Sequence, residues 1–113
     1  MSHQASRPIV VTFDDTDDPI YVPISREREY ITITGETTGT EIQVDYTLEN
    51  IVRSQASSYD VHGGPLVAPA NANWEVLSAV LQATPVNQQL RAFALRLSMT
   101  GTGISTVRIM QSV

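Results

Sequence analysis

The sequence predicts a single-domain, all-β fold, an antiparallel β-sandwich or jelly roll closed by a C-terminal β-hairpin. Apolar and polar residues alternate with a period of two over much of the chain. About seven or eight such segments are separated by turns. The 113 residues fit one domain that can bury a core without disulfides, which the absence of cysteine excludes. We expect a flexible N-terminal arm over residues 1–8 and the sandwich over residues 9–113.

The alternation places the individual strands. In chain order, we predict strands over residues 9–13, 20–24, 30–34, 41–49, 74–81, 91–99 and 105–113. The clearest is 41–49, in which one face is apolar and is made of Ile42, Val44, Tyr46 and Leu48. Its other face is polar, as expected of a strand that packs on a core from one side. The glycines at 35 and 39 predict a turn before this strand.

The segment 74–81 is ambiguous between a helix and a strand. A helix capped by Asn73 would place Trp74 and Leu77 on one face. A strand would direct Trp74 and Val76 inward. We favour the strand because the surrounding chain is β throughout.

The predicted C-terminal hairpin joins residues 91–99 to 105–113 through the glycines of Thr-Gly-Thr-Gly. In its register Leu97 lies opposite Val107, so the two apolar faces agree. The same register sets Arg96 opposite Arg108 on the outer face.

Two arginines that face each other on a sheet destabilise it, so we expect an acidic group to lie over Arg96 and Arg108. A neighbouring strand could supply Glu41, Asp45 or Glu49. A second subunit or a partner protein could supply the group instead.

The net charge of −5 is unevenly distributed. Residues 1–60 hold eleven acids and four arginines, a net of −7, and residues 61–113 hold one acid and three arginines, a net of +2. We therefore expect contacts between the acidic and basic halves, within the domain or between subunits. An acidic chain without basic clusters is a poor nucleic-acid ligand. The sequence also shows no apolar run long enough for a membrane helix and no signal-peptide pattern at its start.

Few residues have the pattern of an active or metal site. Asp14, Asp15, Asp17 and Asp18 could hold calcium, but a solvated turn is the favoured interpretation because the spacing is not that of an EF-hand. No nucleophile–base motif is present, and we expect neither an enzyme nor a cofactor. Trp74 could stack on a sugar, although a core or interface anchor is favoured.

Three segments resemble small structural proteins encoded in the head-gene regions of tailed bacteriophages. They are residues 44–50 (VDYTLEN), residues 73–77 (NWEVL), and residues 94–111, which contain ALRLSMTG and VRIMQ. The likeness extends over roughly residues 31–113 and rests on structural motifs.

The resemblance implies a non-enzymatic virion protein. Its expected role is a capsid decoration, or cement, protein that bridges major capsid subunits as a dimer or trimer on the capsid exterior, after assembly in the host cytoplasm. Arg96, Arg108, Trp74 and Arg7 are the expected partner-binding residues, and the arm could add a strand to a neighbouring sheet. The alternatives are a neck, tail or baseplate component and a carbohydrate-binding module.

Overall fold

The computed structural model describes residues 8–17, 19–51, 67–81 and 85–112. Its strands are β1 (Ile9–Asp14), β2 (Ile20–Pro23), β3 (Tyr30–Thr37), β4 (Glu41–Thr47), β5 (Glu75–Ser78), β6 (Val86–Gln89), β7 (Ala94–Thr100) and β8 (Ile104–Ser112). A short 3-10 helix at Pro69–Asn71 precedes β5. No helix in these described ranges is long and apolar enough to cross a membrane. The predicted arm lies largely outside the described residues.

The eight strands form two antiparallel four-stranded sheets, which confirms the predicted sandwich. One sheet has the order β1-β8-β3-β6, and the other has the order β2-β7-β4-β5. The first strand thus pairs with the last, the second with the seventh, the third with the sixth and the fourth with the fifth. This is the winding of a jelly roll, in which an antiparallel ribbon wraps around a shared core.

The core lies between the two sheets and follows from the period-two pattern. The inward positions of β4, β7 and β8 are almost fully buried, and they are Ile42, Val44, Leu95, Leu97, Val107 and Ile109. Leu48 departs from the pattern because β4 ends at Thr47, and the side chain beyond that end is exposed.

The predicted C-terminal hairpin is wrong. β7 and β8 are consecutive, but β7 pairs with β2 and β4, whereas β8 pairs with β1 and β3. The segment 101–103 is therefore an arch that carries the chain from one sheet to the other. Period-two alternation continues through an arch as it does through a hairpin, so the glycine signal does not separate the two.

A second arch lies beside the first and joins β3 to β4 through residues 38–40. The Thr38 amide donates to the Ile104 carbonyl and the Thr40 amide donates to the Thr100 carbonyl, at 2.9 and 2.8 Å. Gly101 has a φ of 82°, a conformation that favours glycine. A Cβ atom on Gly103 would lie 2.8 Å from the Gly39 nitrogen, so the two arches pack without room for a side chain there.

Three further findings concern single elements. β3 continues through Gly35 to Thr37, so the turn begins later than predicted. The segment after Asn73 contains a strand, β5, as favoured over the helix. The predicted inward direction of Trp74 and Val76 is wrong, because Trp74 packs on Arg96 and Val76 pairs with Asp45 on the outer face, where Val76 is 57% exposed. β6 was not predicted, because its sequence VNQQ is mostly polar and exposed and shows no alternation.

Candidate functional site

The outer face of the β2-β7-β4-β5 sheet carries an ion pair between a buried aspartate and a partly exposed arginine. Asp45 on β4 and Arg96 on β7 are cross-strand neighbours, and the Arg96 Nη2 atom lies 2.9 Å from the Asp45 Oδ2 atom. The Arg96 Nε–H donates to the same oxygen at 3.0 Å. The Gln43 amide donates to the other Asp45 oxygen at 2.8 Å. Asp45 thus belongs to the polar face of its strand, as predicted, but only 2% of it remains exposed.

Trp74 helps to cover this pair. The Arg96 guanidinium carbon lies 5.0 Å from the centroid of the Trp74 ring, within cation–π range. The Tyr21 ring on β2 lies 5.7 Å from the Trp74 ring, tilted by 33°. The indole N–H donates to the Pro69 carbonyl at 2.9 Å, so the 3-10 helix holds the ring in place.

We call Tyr21, Asp45, Trp74 and Arg96 the Asp45 cluster. Tyr21, Asp45 and Arg96 lie on β2, β4 and β7, and Trp74 immediately precedes β5, so the cluster joins all four strands of the sheet. The nearby Thr47 and Ala94 occupy outward positions of β4 and β7, yet both are fully buried. The cluster therefore acts as a small second core on the outside of the sheet. The Asp45 carboxylate accepts two hydrogen bonds from Arg96 and one from Gln43, and such a paired group fixes the two strands relative to each other.

The structure separates Arg108 from Arg96. Arg108 lies on β8, in the other sheet, between Val10 of β1 and Thr34 of β3. The predicted clash of two arginines is therefore wrong, because it depended on the hairpin. The acidic group expected over Arg96 is Asp45, the second of the three strand residues considered. Arg108 is exposed, and it makes no ion pair with any residue that the structure describes.

The aspartate turn after β1 is closed by its own hydrogen bonds. The Thr16 hydroxyl and amide both donate to Asp14 Oδ1, at 2.6 and 2.8 Å. These bonds, above all the one from the hydroxyl, hold the pKa of Asp14 below its ordinary value. Asp15 and Asp17 are exposed. Within the described part of the chain, no group of three or more His, Asp or Glu side chains is placed to hold a metal ion.

Two predicted site residues lie outside the described residues. They are Arg7 of the arm and Asp18 of the aspartate turn. Their expected roles in partner binding and calcium binding therefore stay predictions.

A second ion pair also joins the acidic half of the chain to the basic half. The Arg91 Nη2 atom lies 3.1 Å from the Glu29 Oε2 atom, and the Gln89 amide donates to the same oxygen at 3.1 Å. Hydrogen bonding by Gln89, then by Arg91, lowers the pKa of Glu29. Both ion pairs among the described residues join an acid of residues 1–60 to an arginine of residues 61–113. This agrees with the expectation, drawn from the charge distribution, of contacts between the two halves within the domain.

Sequence reasoning missed Tyr21 as a member of the cluster. Nothing in the pattern of β2 distinguishes its outward tyrosine from a solvent-exposed one. The signal that could have found it is Trp74, since an aromatic side chain on an outer face needs other apolar surface to pack against.

No protein-family model and no curated protein sequence matches this chain. Among solved structures, the chain is similar to one described by the words "Bacillus endospore appendages form a novel family of disulfide-linked pili". The identity is 9%, the TM-score is 0.41, and the match covers 100% of this chain and 92% of the other. A likeness at this level does not bear on function.

Proposed function

We propose that this chain is a non-enzymatic structural protein of a tailed bacteriophage particle and serves as a capsid decoration protein. It would bind the outside of the assembled shell and bridge neighbouring major capsid subunits. The proposal rests on the resemblance of residues 31–113 to head-region structural proteins. It is also supported by the positions of the resembling segments in the fold.

The observation that supports the proposal is that the three resembling segments meet in the Asp45 cluster. Asp45 comes from residues 44–50, Trp74 from residues 73–77 and Arg96 from residues 94–101, and the Arg96 side chain contacts both of the others. Residues from segments that lie far apart in the sequence thus pack together on the outer face of one sheet. The resemblance therefore involves a set of residues that pack together, which isolated strand patterns would not produce.

A decoration role also agrees with the physics of a small rigid sandwich. A protein that binds only the assembled lattice stabilises that lattice by mass action. Contacts that are weak singly add up when they are repeated over the shell. The two four-stranded sheets present their outer faces for such contacts.

The test is binding of the purified chain to capsids that lack it, measured by co-sedimentation. We expect saturable binding to assembled heads, no binding to unassembled capsid subunits, and a higher melting temperature of the decorated heads. Failure to bind heads, or equal binding to unassembled subunits, would contradict the proposal. Binding to glycan arrays that is lost in Trp74→Ala would point instead to a carbohydrate-binding module.

A further inference from the structure

The outer face of the β1-β8-β3-β6 sheet is the larger uncovered apolar surface of the described fold. We call it the β8 face. It presents four exposed large apolar side chains, Val10, Tyr30, Ile104 and Met110. The pairing of β8 with β1 and β3 runs without a register shift, so the face is regular. The outer face of the other sheet, in contrast, is partly covered by Trp74.

Three threonines of the β8 face have hydroxyl groups that form hydrogen bonds within the face. Thr12 and Thr106 share a hydrogen bond at 3.3 Å between their hydroxyl oxygens. The Thr32 hydroxyl donates to the Asn87 side-chain oxygen at 2.8 Å. A hydroxyl that already has a partner costs less to remove from water, so this face can be buried more easily than its composition suggests.

The charges at the centre of the β8 face are complementary to each other but do not pair. Arg108 lies opposite Thr34, and Glu36 lies opposite Thr106, so the two charged residues are diagonal neighbours on adjacent strands. Neither forms an ion pair with another described residue. A depression of about 420 Å³ lies beside the carboxylate and is lined by Glu36, Thr37, Thr38, Ile104 and Thr106.

We propose that the β8 face is the interface of a symmetric homodimer. A twofold axis that passes between Arg108 and Glu36 brings Arg108 of one protomer to the partner's Glu36, and the reverse contact forms by symmetry. Each guanidinium enters the depression beside the opposing carboxylate. Because each protomer carries both an arginine and a glutamate on this face, the dimer contains two equivalent ion pairs between protomers.

The area of the face limits the size of the interface. Its strands β1, β3, β6 and β8 hold 6, 8, 4 and 9 residues. At about 3.3 Å per residue and about 4.8 Å between strands, they present roughly 430 Å² per protomer. The total of roughly 860 Å² is in the range of weak, transient complexes. We therefore expect a dimer that dissociates on dilution and is weakened by salt, because its central contacts are ionic.

The test is a charge exchange measured by sedimentation velocity over a wide range of protein concentrations. Arg108→Glu replaces two attractions by two repulsions, and Glu36→Arg does the same, so each should weaken the dimer about tenfold or more. The double variant with both exchanges restores the attraction and should dimerise like the unchanged chain. The matched control is Glu41→Arg, which reverses an exposed charge on the other sheet and should leave the dimer unchanged.

A second measurement locates the interface even if a charge variant folds poorly. The chain has no cysteine, so a single Thr34→Cys substitution places one thiol near the proposed axis. A short bis-maleimide reagent should join two such chains efficiently, whereas Thr100→Cys on the other sheet should remain uncoupled.

Several results would overturn the proposal. They are a monomer at every concentration, a trimer, a dimer that tolerates both single charge reversals, or equal cross-linking at positions 34 and 100. These measurements use the purified chain alone, so the dimer proposal stands on the β8 face and does not depend on the role in the particle. A monomer that still binds heads would refute the dimer only, and a dimer that binds no heads would refute the decoration role only.

Discussion

The two members of the ion pair in the Asp45 cluster differ in their contact with water. The Arg96 side chain is 31% exposed, whereas the Asp45 side chain is 2% exposed. Loss of the arginine therefore leaves a buried carboxylate without its counter-charge, whereas loss of the carboxylate leaves an arginine that reaches solvent and still contacts Trp74.

Arg96→Ala should therefore lower the free energy of unfolding by about 2 kcal/mol, and Asp45→Asn by only about 1 kcal/mol. Urea unfolding followed by circular dichroism measures both values. Arg91→Ala is the matched control, since its pair with Glu29 is more exposed and should contribute much less to stability. An equal loss in Arg96→Ala and Arg91→Ala would contradict the structural role of the cluster.

Glu29 should make the fold more sensitive to acid. Its pKa lies below the ordinary value because the charged form accepts hydrogen bonds from Gln89 and Arg91. A lowered folded-state pKa contributes stability that is present above the unfolded-state pKa and is lost as the pH falls through the folded-state value.

Glu29→Gln should therefore make stability fall less steeply below about pH 4.5, the ordinary value for this group. Melting temperatures measured from neutral pH into the acid range test this expectation. Gln89→Ala, which removes the hydrogen bond that lowers this pKa most, should have a smaller effect in the same direction. A steeper acid-side slope in Glu29→Gln would show that the sign is wrong.

Single residues were predictable from the sequence where alternation alone decides their environment. The inward residues of β4 and the outward position of Asp45 follow from the period of two. The sequence named Asp45 among three acids that could meet Arg96, but it could not choose between them, because the choice depends on which strands pair. Burial under Trp74 depends on the path of residues 67–74, which carries no periodic signal.

The two arches are the elements that turn the paired strands from one sheet into the other. Gly101→Ala places a side chain in a conformation that favours glycine, and Gly103→Ala presses a Cβ atom against the backbone of the other arch. We expect each to lower the unfolding free energy by about 1–2 kcal/mol.

Thermal unfolding measures this loss, and Thr102→Ala between the two glycines is the matched control. Thr102 is exposed, so its substitution should change stability by less than about 0.5 kcal/mol. A loss in Thr102→Ala as large as that in Gly103→Ala would show that the arch geometry does not require glycine.

The elements show where sequence reasoning reaches its limit. Seven of the eight strands lie in segments that the sequence predicted, although β5 was favoured only because the surrounding chain is β. The eighth, β6, was missed because edge position and polar side chains remove the alternation signal. The C-terminal hairpin was a reasonable inference from Gly101 and Gly103. A local turn signal, however, does not determine to which sheet each flanking strand belongs. Sheet membership is a property of the whole chain.

At the scale of the whole molecule, almost all strand pairing is non-local. β1 pairs with β8 and β2 pairs with β7, so the ends of the chain must meet before either sheet is complete. Because loop closure precedes these contacts, we expect folding in milliseconds to seconds. Stopped-flow refolding from urea measures this rate, and complete folding within microseconds would contradict the jelly-roll winding.

The central functional claim is that many copies of this chain cover the outside of a phage head. If the proposal is right, the source of the chain is a phage, and the most direct test is quantitative mass spectrometry of its purified particles, with the major capsid protein as the internal reference. The proposal predicts a copy number close to that of the major capsid protein. A few copies to a few dozen would place the chain in the neck or tail, and its absence from the particle would contradict the virion role altogether.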